Sequence, residues 1–153
     1  TLGVGWNEAR RYGWGVDVTY HMEENYTSVE GTTESGQRVE EESRIESVVD
    51  VNVGGEYFLA QKYPLRAGFF TSFSAEPEVG EDADYQYAGL DLYGITASIG
   101  STGKSIDSNL GVNYVWGTGE DYGTQWASGQ LSDRIVDASE SQLYLFVNTS
   151  YNF

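Results

Sequence analysis

The last eleven residues of the chain, 143–153, alternate between apolar and polar positions. Because successive side chains of a strand point to opposite faces, this alternation predicts a β-strand with one apolar and one polar face. A strand of about ten residues is also long enough to cross a bilayer when it is tilted. The closing strand of a soluble β-sandwich is the alternative. The apolar face carries Leu143, Leu145, Val147, Thr149, Tyr151 and Phe153, and the polar face carries Gln142, Tyr144, Asn148, Ser150 and Asn152, with Phe146 among them.

The composition favours many strands and excludes membrane helices. The chain has 19 Gly and 12 Tyr but only two Pro, as is typical of strands joined by tight turns and edged by aromatic residues. Its mean hydropathy is -0.44, and no apolar run approaches the roughly 20 residues of a membrane helix. A membrane barrel stays compatible, because its apolar residues occupy every second position. The lack of Cys fits an exported chain.

Alternation along the rest of the chain predicts seven strands, of which the third is the most regular. The fifth is less regular, because Leu90 and Leu92 are out of phase with Ile95. A bulge between residues 91 and 94 would explain this, as would an error in the strand assignment. The predicted strands are Leu2–Trp6, Tyr12–Met22, Ile45–Leu59, Tyr63–Ser74, Tyr85–Gly100, Ile106–Trp116 and Leu143–Phe153.

The connections between these strands are alternately short and long. This pattern is typical of an up-and-down barrel with tight periplasmic turns and larger external loops, whereas soluble barrels such as lipocalins do not need it. The predicted fold is therefore an all-β, antiparallel up-and-down transmembrane β-barrel. It would be a single domain over residues 1–153 or the C-terminal portion of one. The short connections are 7–11, 60–62 and 101–105, and the long external loops are 23–44, 75–84 and 117–140.

The two faces of the predicted strands differ in the residues they carry. The apolar faces have aromatic residues near the strand ends, as in the interfacial girdles of membrane barrels: Trp14, Trp116, Tyr20, Tyr57, Tyr114 and Tyr151. The polar faces would line the interior. Charged residues there would either fill a narrow barrel with salt bridges or constrict a pore. The lumen-facing polar candidates are Asp17, His21, Asp50, Asn52, Glu56, Arg66, Asp107 and Asn109.

Charge is sorted along the chain in the same way. The net charge of -16 argues against nucleic acid as a partner and against simple adsorption to anionic lipid. Of the 24 acidic residues, 18 lie in stretches 23–46, 76–84 and 120–140. Ordinary solvated loops explain this acidity, and divalent cations bridging the loops to anionic lipopolysaccharide are the functional alternative. The spacing of a dedicated calcium-binding loop is not found.

The sequence offers little catalytic chemistry. His21 is the only histidine and Cys is absent, so neither a Cys–His pair nor a multi-histidine metal cluster can form. His21 paired with a serine would give a hydrolase, but a solvated histidine at the rim is the simpler interpretation. We therefore predict no catalytic, cofactor or metal site and no enzymatic activity.

An odd number of strands conflicts with a closed bacterial barrel, which uses an even number. Three hypotheses would resolve the conflict. The chain, which begins at Thr1, is the C-terminal part of a larger barrel; or it is an eight-stranded barrel with an unrecognised strand; or another polypeptide completes it.

Several segments resemble the C-terminal half of the FadL-type family of outer-membrane transporters for long-chain fatty acids and aromatic hydrocarbons. In that family they are successive hairpins near the end of a barrel of about fourteen strands. The family's N-terminal hatch has no counterpart in these residues. The resemblance implies passive transport of hydrophobic small molecules across the bacterial outer membrane. The matching segments are Leu2–Trp6, Tyr12–Tyr20, Val53–Tyr57, Pro64–Phe69, Leu110–Trp116 and Asn148–Phe153.

The end of the chain also resembles the C-terminal assembly signal of outer-membrane barrels, in which a terminal aromatic residue follows alternating apolar positions. Tyr151 and Phe153 would present this signal to the barrel-assembly machinery. Outer-membrane lipid and lipopolysaccharide are the expected surroundings, and another polypeptide is a further candidate partner. The alternative function is a small structural or adhesive barrel, or a docking partner, acting through its acidic external loops.

Overall fold

A computed structural model describes residues 1–32, 36, 38–77, 89–127 and 130–151. Within these ranges the chain forms nine strands and no helix. In the same ranges, no helix is long and apolar enough to span a membrane. The strands are β1 (Leu2–Glu8), β2 (Tyr12–His21), β3 (Glu24–Thr32), β4 (Arg38–Ile45), β5 (Val48–Leu59), β6 (Tyr63–Ser72), β7 (Gly89–Thr102), β8 (Ile106–Ala127) and β9 (Gln130–Tyr151).

Seven of the nine described strands form one antiparallel sheet in the order β1-β2-β5-β6-β7-β8-β9. The remaining two, β3 and β4, pair with each other as a separate sheet. Each strand of the large sheet pairs with its neighbour in the chain once the β3–β4 hairpin is set aside. The predicted all-β antiparallel, up-and-down arrangement is therefore confirmed. In the part of the chain that the structure describes, β1 and β9 are the two edges of this sheet.

The structure contains more strand than the sequence predicted. Residues 23–44, predicted as a loop, hold the β3–β4 hairpin, and much of 117–140 extends β8 and β9 into a long hairpin. Apolar alternation could not reveal these segments, because strands that are polar on both faces lack it. Their Thr, Tyr, Val and Trp residues nevertheless favour extended backbone. Within the predicted loop 75–84, residues 78–84 lie outside the described ranges, as do residues 85–88 of the predicted fifth strand.

The predicted bulge between residues 91 and 94 is wrong. Strand β7 pairs in unbroken register with β6 and with β8. Leu90 and Leu92 therefore lie on the polar face, opposite Gly119 and Gly117. A Cβ atom at Gly117 would lie only 2.5 Å from Cδ2 of Leu92, so the glycine makes room for the leucine. The out-of-phase leucines are accommodated by glycines on the next strand and not by an extra residue.

The large sheet curves, and its polar face is the enclosed one. Cα atoms of β7 and β9 come within 8 Å of each other although β8 lies between them. A flat sheet would hold them about 9.6 Å apart. On the apolar face Leu2 is 82% exposed and Leu145 is 78% exposed, whereas Gly94 and Gly111 on the polar face are buried. Side chains on a concave face crowd one another, so the sheet curls towards its polar side.

Where the structure describes side chains, the apolar residues do not form a core. The chain exposes 11475 Å² of surface. A compact globular protein of 16.9 kDa would expose roughly 7,700 Å². Among the described residues Pro64 is the only large side chain that is fully buried, and no polar or charged side chain is buried. The sheet thus presents a broad apolar surface on its convex side, of the kind that marks a membrane or protein contact.

Candidate functional site on the polar face

A row of four glycines crosses the polar face at one register position. Gly5, Gly15, Gly54 and Gly68 are cross-strand partners on β1, β2, β5 and β6. Three of them, Gly15, Gly54 and Gly68, lack a Cβ atom at the lining of a groove of about 500 Å³. The row continues into Thr96, Asn113 and Tyr144 on β7, β8 and β9.

Asp17, Asn52 and Phe70 border this groove on its side towards the long connections. Asp17 and Asn52, both predicted on the polar face, are direct cross-strand partners on β2 and β5. Asn52 in turn faces Phe70 on β6. The groove therefore combines one aromatic ring with a carboxylate and an amide at the same depth of the sheet.

Arg66 borders the groove on its side towards the short turns. Glu56 faces Arg66 across β5 and β6, and Glu56 Oε2 lies 2.6 Å from Arg66 Nη2. Arg66 Nη1 also donates a hydrogen bond to Asn109 Oδ1 at 3.3 Å. Asn109 is on β8, so the guanidinium reaches across β7. The sequence placed all three residues on one face, and the structure brings them into contact.

His21 and Asp50 meet at the rim of the sheet, where the long connections begin. His21 Nε2 lies 3.4 Å from Asp50 Oδ2. Asp50 Oδ1 accepts hydrogen bonds from the Phe73 N–H at 2.9 Å and from the Thr71 hydroxyl at 3.2 Å. The side chain of Asp50 is only 15% exposed. These bonds tie β2, β5 and the end of β6 together.

His21, Asp50 and Ser72 at the rim of the sheet are arranged in a different order from the residues of a serine hydrolase triad. In such a triad the histidine lies between the nucleophile and the carboxylate. Here Asp50 on β5 separates His21 on β2 from Ser72 on β6, and all three border one pocket. Among the described residues no group of three or more His, Cys, Asp or Glu side chains is placed to hold a metal ion.

Two further predicted residues lie near the short turns. Asp107 Oδ1 accepts a hydrogen bond from the Gly103 N–H at 3.1 Å, which fixes the turn between β7 and β8. Tyr151 is the last residue of β9 and pairs with Ile106, whereas Phe153 lies outside the described residues.

At the turn between β1 and β2, the hydrogen bond and charge of Glu8 raise the pKa of Arg11 above its usual value.

Sequence reasoning missed other residues of the polar face. Phe70 and Thr96 border the groove, and the buried Oδ1 of Asn113 has no hydrogen-bond partner. The polar phase of Thr96 and Asn113 was visible in the sequence. Their place in the glycine row was not, because it depends on the register between strands.

Aromatic rings cluster on the convex apolar face near the long connections. Tyr93 stacks on Trp116 with ring centroids 6.0 Å apart, and Trp116 stacks on Tyr114 at 5.5 Å. Phe69 and Phe73 approach Tyr93 at 6.5 and 5.5 Å. The cluster spans β6, β7 and β8, and it includes Trp116 and Tyr114 of the aromatic residues that the sequence analysis placed near strand ends.

Comparisons with protein-family models, with curated proteins and with solved structures each found no match. The two opposite faces of the curved sheet are therefore the basis on which a function is proposed.

Proposed function

We propose that this chain forms part of the wall of a bacterial outer-membrane β-barrel through which hydrophobic small molecules diffuse passively. Its convex apolar face contacts lipid, and its concave polar face lines the lumen. One observation carries the proposal: exposure alternates along the strands in the sense opposite to that of a water-soluble sheet. On β7, Ile95, Ala97 and Ile99 are exposed, whereas Thr96 and Ser98 between them are partly enclosed.

The height of the apolar surface supports a bilayer as its environment. Ten residues separate Ser141 from Tyr151 on β9, which is about 33 Å of extended chain. At a tilt of about 40° this spans about 25 Å, the height of the apolar band of outer-membrane barrels. The Tyr93 and Trp116 cluster lies near one end of this span, and Tyr57 and Tyr151 lie near the other. Aromatic residues favour both membrane interfaces.

Closure of the wall requires further strands. In an antiparallel sheet of seven strands the first and the last, here β1 and β9, run in the same direction. Antiparallel closure between them therefore needs an odd number of additional strands, which also gives the even total of bacterial barrels. In this proposal they come from the same polypeptide, as the FadL-type resemblance implies, or from another one.

The transport assignment is supported by the groove on the polar face. Gly15, Gly54 and Gly68 line it together with Phe70, so an apolar strip lies between Asp17 on one side and Arg66 on the other. Pockets that hold small ligands are commonly about 300–1,000 Å³, and the groove of about 500 Å³ is within that range. The resemblance to fatty-acid and hydrocarbon transporters suggests the class of compound.

An uptake assay tests this proposal. Cells of the source organism with and without the gene are given a labelled long-chain fatty acid, an aromatic hydrocarbon and, as a control, a small sugar. We expect loss of the gene to slow entry of one hydrophobic compound and to leave sugar entry unchanged. Equal uptake of both hydrophobic compounds with and without the gene would refute the transport assignment.

The acidic hairpin favours a second candidate function, adhesion or docking. Strands β3 and β4 pair only with each other among the described strands, so the hairpin is separate from the wall. Residues 23–46 contain eight acidic residues and two arginines. Carboxylates bridged by calcium or magnesium would attach such a hairpin to lipopolysaccharide or to a partner protein. Replacing residues 26–43 by a short turn should then abolish attachment and leave uptake unchanged.

A further inference from the structure

We propose that Arg66, held by Glu56 and Asn109, is a latch on the wall of the lumen that sets the width and the ion selectivity of the lumen. The inference rests on the proposed function, because it assigns a role to these residues within a barrel wall. It goes beyond that function by naming the residues that control passage.

The position of Arg66 between two cavities is the first observation. The groove of about 500 Å³ lies on one side of Arg66, and a second pocket of about 190 Å³ lies on the side of the short turns. Arg66 is the residue that borders both cavities. A molecule that moves along the concave face from one cavity to the other therefore has to pass its side chain.

Two partners on different strands fix the Arg66 side chain across the sheet. Glu56 binds it from β5 at 2.6 Å, and Asn109 accepts its second nitrogen from β8. Charge-assisted bonds of this kind are stronger and more directional than neutral ones. Arg66 is 41% exposed and Glu56 is 26% exposed, so water screens the pair incompletely.

Small residues on β7 allow the guanidinium to reach β8. Ser98 faces Arg66 directly, and Gly100 faces Asn109. A Cβ atom at Gly100 would lie 3.0 Å from Cγ of Pro64 and 3.4 Å from Asn109 Oδ1. A larger residue at position 100 would therefore clash with Pro64 and with Asn109, which accepts the hydrogen bond of Arg66.

The latch places one positive and one negative charge at the same point of the lumen. While both are present their fields largely cancel, and ions of either sign meet a similar barrier. Removal of one partner leaves the other charge unpaired where it faces the path, and unpaired charges lining a pore select ions of opposite sign. Opposite effects of the two removals are thus the signature of a latch inside a pore.

Reversal potentials in a planar bilayer measure this signature. The protein is expressed from its complete gene, purified from the membrane and studied under a potassium chloride gradient. Arg66→Gln should shift selectivity towards cations, and Glu56→Gln should shift it towards anions. The double variant should return selectivity towards that of the wild type while conductance rises at least about twofold, since the long guanidinium side chain is replaced by a shorter amide. Asn109→Ala should raise conductance without a change in selectivity.

Arg11→Gln is the matched control. Arg11 and Glu8 form an equally short ion pair, 2.5 Å, but in the exposed turn between β1 and β2. Its loss should change neither conductance nor selectivity. Shifts of the same sign in Glu56→Gln and Arg66→Gln, or shifts no larger than that of Arg11→Gln, would overturn the latch while wild-type conductance keeps the barrel proposal intact. A wild-type protein that adds no conductance would overturn both.

Discussion

The two faces of the large sheet are made by the same strands yet differ in almost every physical respect. Val53 and Asn52 are neighbours on β5, but Val53 lies in an apolar row with Val16 and Phe69, and Asn52 lies in a polar row with Asp17. In the apolar row Val53 and Phe69 are exposed, and the polar row borders a groove. A sheet in water buries its apolar face. This reversal supports the proposal of apolar surroundings outside the sheet and a polar interior.

Substitution of one residue by arginine on each face should give the largest difference in folding free energy between the two faces. We expect Val53→Arg to cost about 2–4 kcal/mol of folding free energy in a bilayer, because position 53 is near the middle of the apolar band. Asn52→Arg, one residue away, should cost less than about 1 kcal/mol, since its side chain points into the polar interior. Urea titration of the protein folded into lipid vesicles measures both values.

The neighbouring pair is its own control, because both variants add the same side chain to the same strand. Equal destabilisation by the two arginine substitutions would show that the apolar and polar faces of the sheet have similar surroundings. A larger cost for Asn52→Arg would indicate that the polar face is the one packed against an apolar partner.

Substitution of a glycine by alanine should also destabilise the concave face more than the convex face. The difference in folding free energy should be smaller than that between the two arginine variants. A Cβ atom at Gly111 on the polar face would lie 2.6 Å from Ser98 Cβ and 2.8 Å from the Ala97 carbonyl oxygen. At Gly55 on the apolar face the nearest atom would be the Gly13 carbonyl oxygen at 3.4 Å. Gly111→Ala should therefore cost about 1–3 kcal/mol through overpacking. Gly55→Ala should cost less than about 1 kcal/mol.

Unfolding in the same vesicles compares these two alanine variants. If curvature towards the polar face is correct, the cost must be concentrated at Gly111. A cost at Gly55 as large as that at Gly111 would mean that the sheet is flat or bends the other way.

Alternation was enough to predict seven strands of the large sheet and the faces of most of their residues, since the period of two is a property of extended backbone itself. It also placed Glu56, Arg66 and Asn109 on one face. It could not predict that they touch, because Arg66 and Asn109 are 43 residues apart and on strands separated by β7. That contact depends on register, and so does the glycine row.

The β3–β4 hairpin shows where alternation stops being informative. Three consecutive glutamates, Glu40 to Glu42, occupy part of β4, so no apolar stripe marks it as a strand. Its ladder of backbone hydrogen bonds pairs β4 with β3 alone among the described strands. In the proposed barrel the wall needs a two-faced pattern because it separates two environments. A hairpin that has the same surroundings on both faces has no such need. A search for apolar and polar alternation therefore does not detect it.

Removal of the hairpin should have the smallest effect on the wall. We expect replacement of residues 26–43 by a short turn to change the unfolding free energy of the barrel by less than about 1 kcal/mol, because shortening a surface connection alters mainly loop-closure entropy. Any attachment to lipopolysaccharide should meanwhile lose its dependence on added magnesium, since most of the carboxylates of this hairpin are removed. Urea unfolding and vesicle co-sedimentation measure the two quantities on one preparation. A loss of several kcal/mol would mean that the hairpin packs on the wall and that the wall does not depend on its two faces alone. If the dependence on magnesium were unchanged, the attachment would have to depend on the other acidic connections.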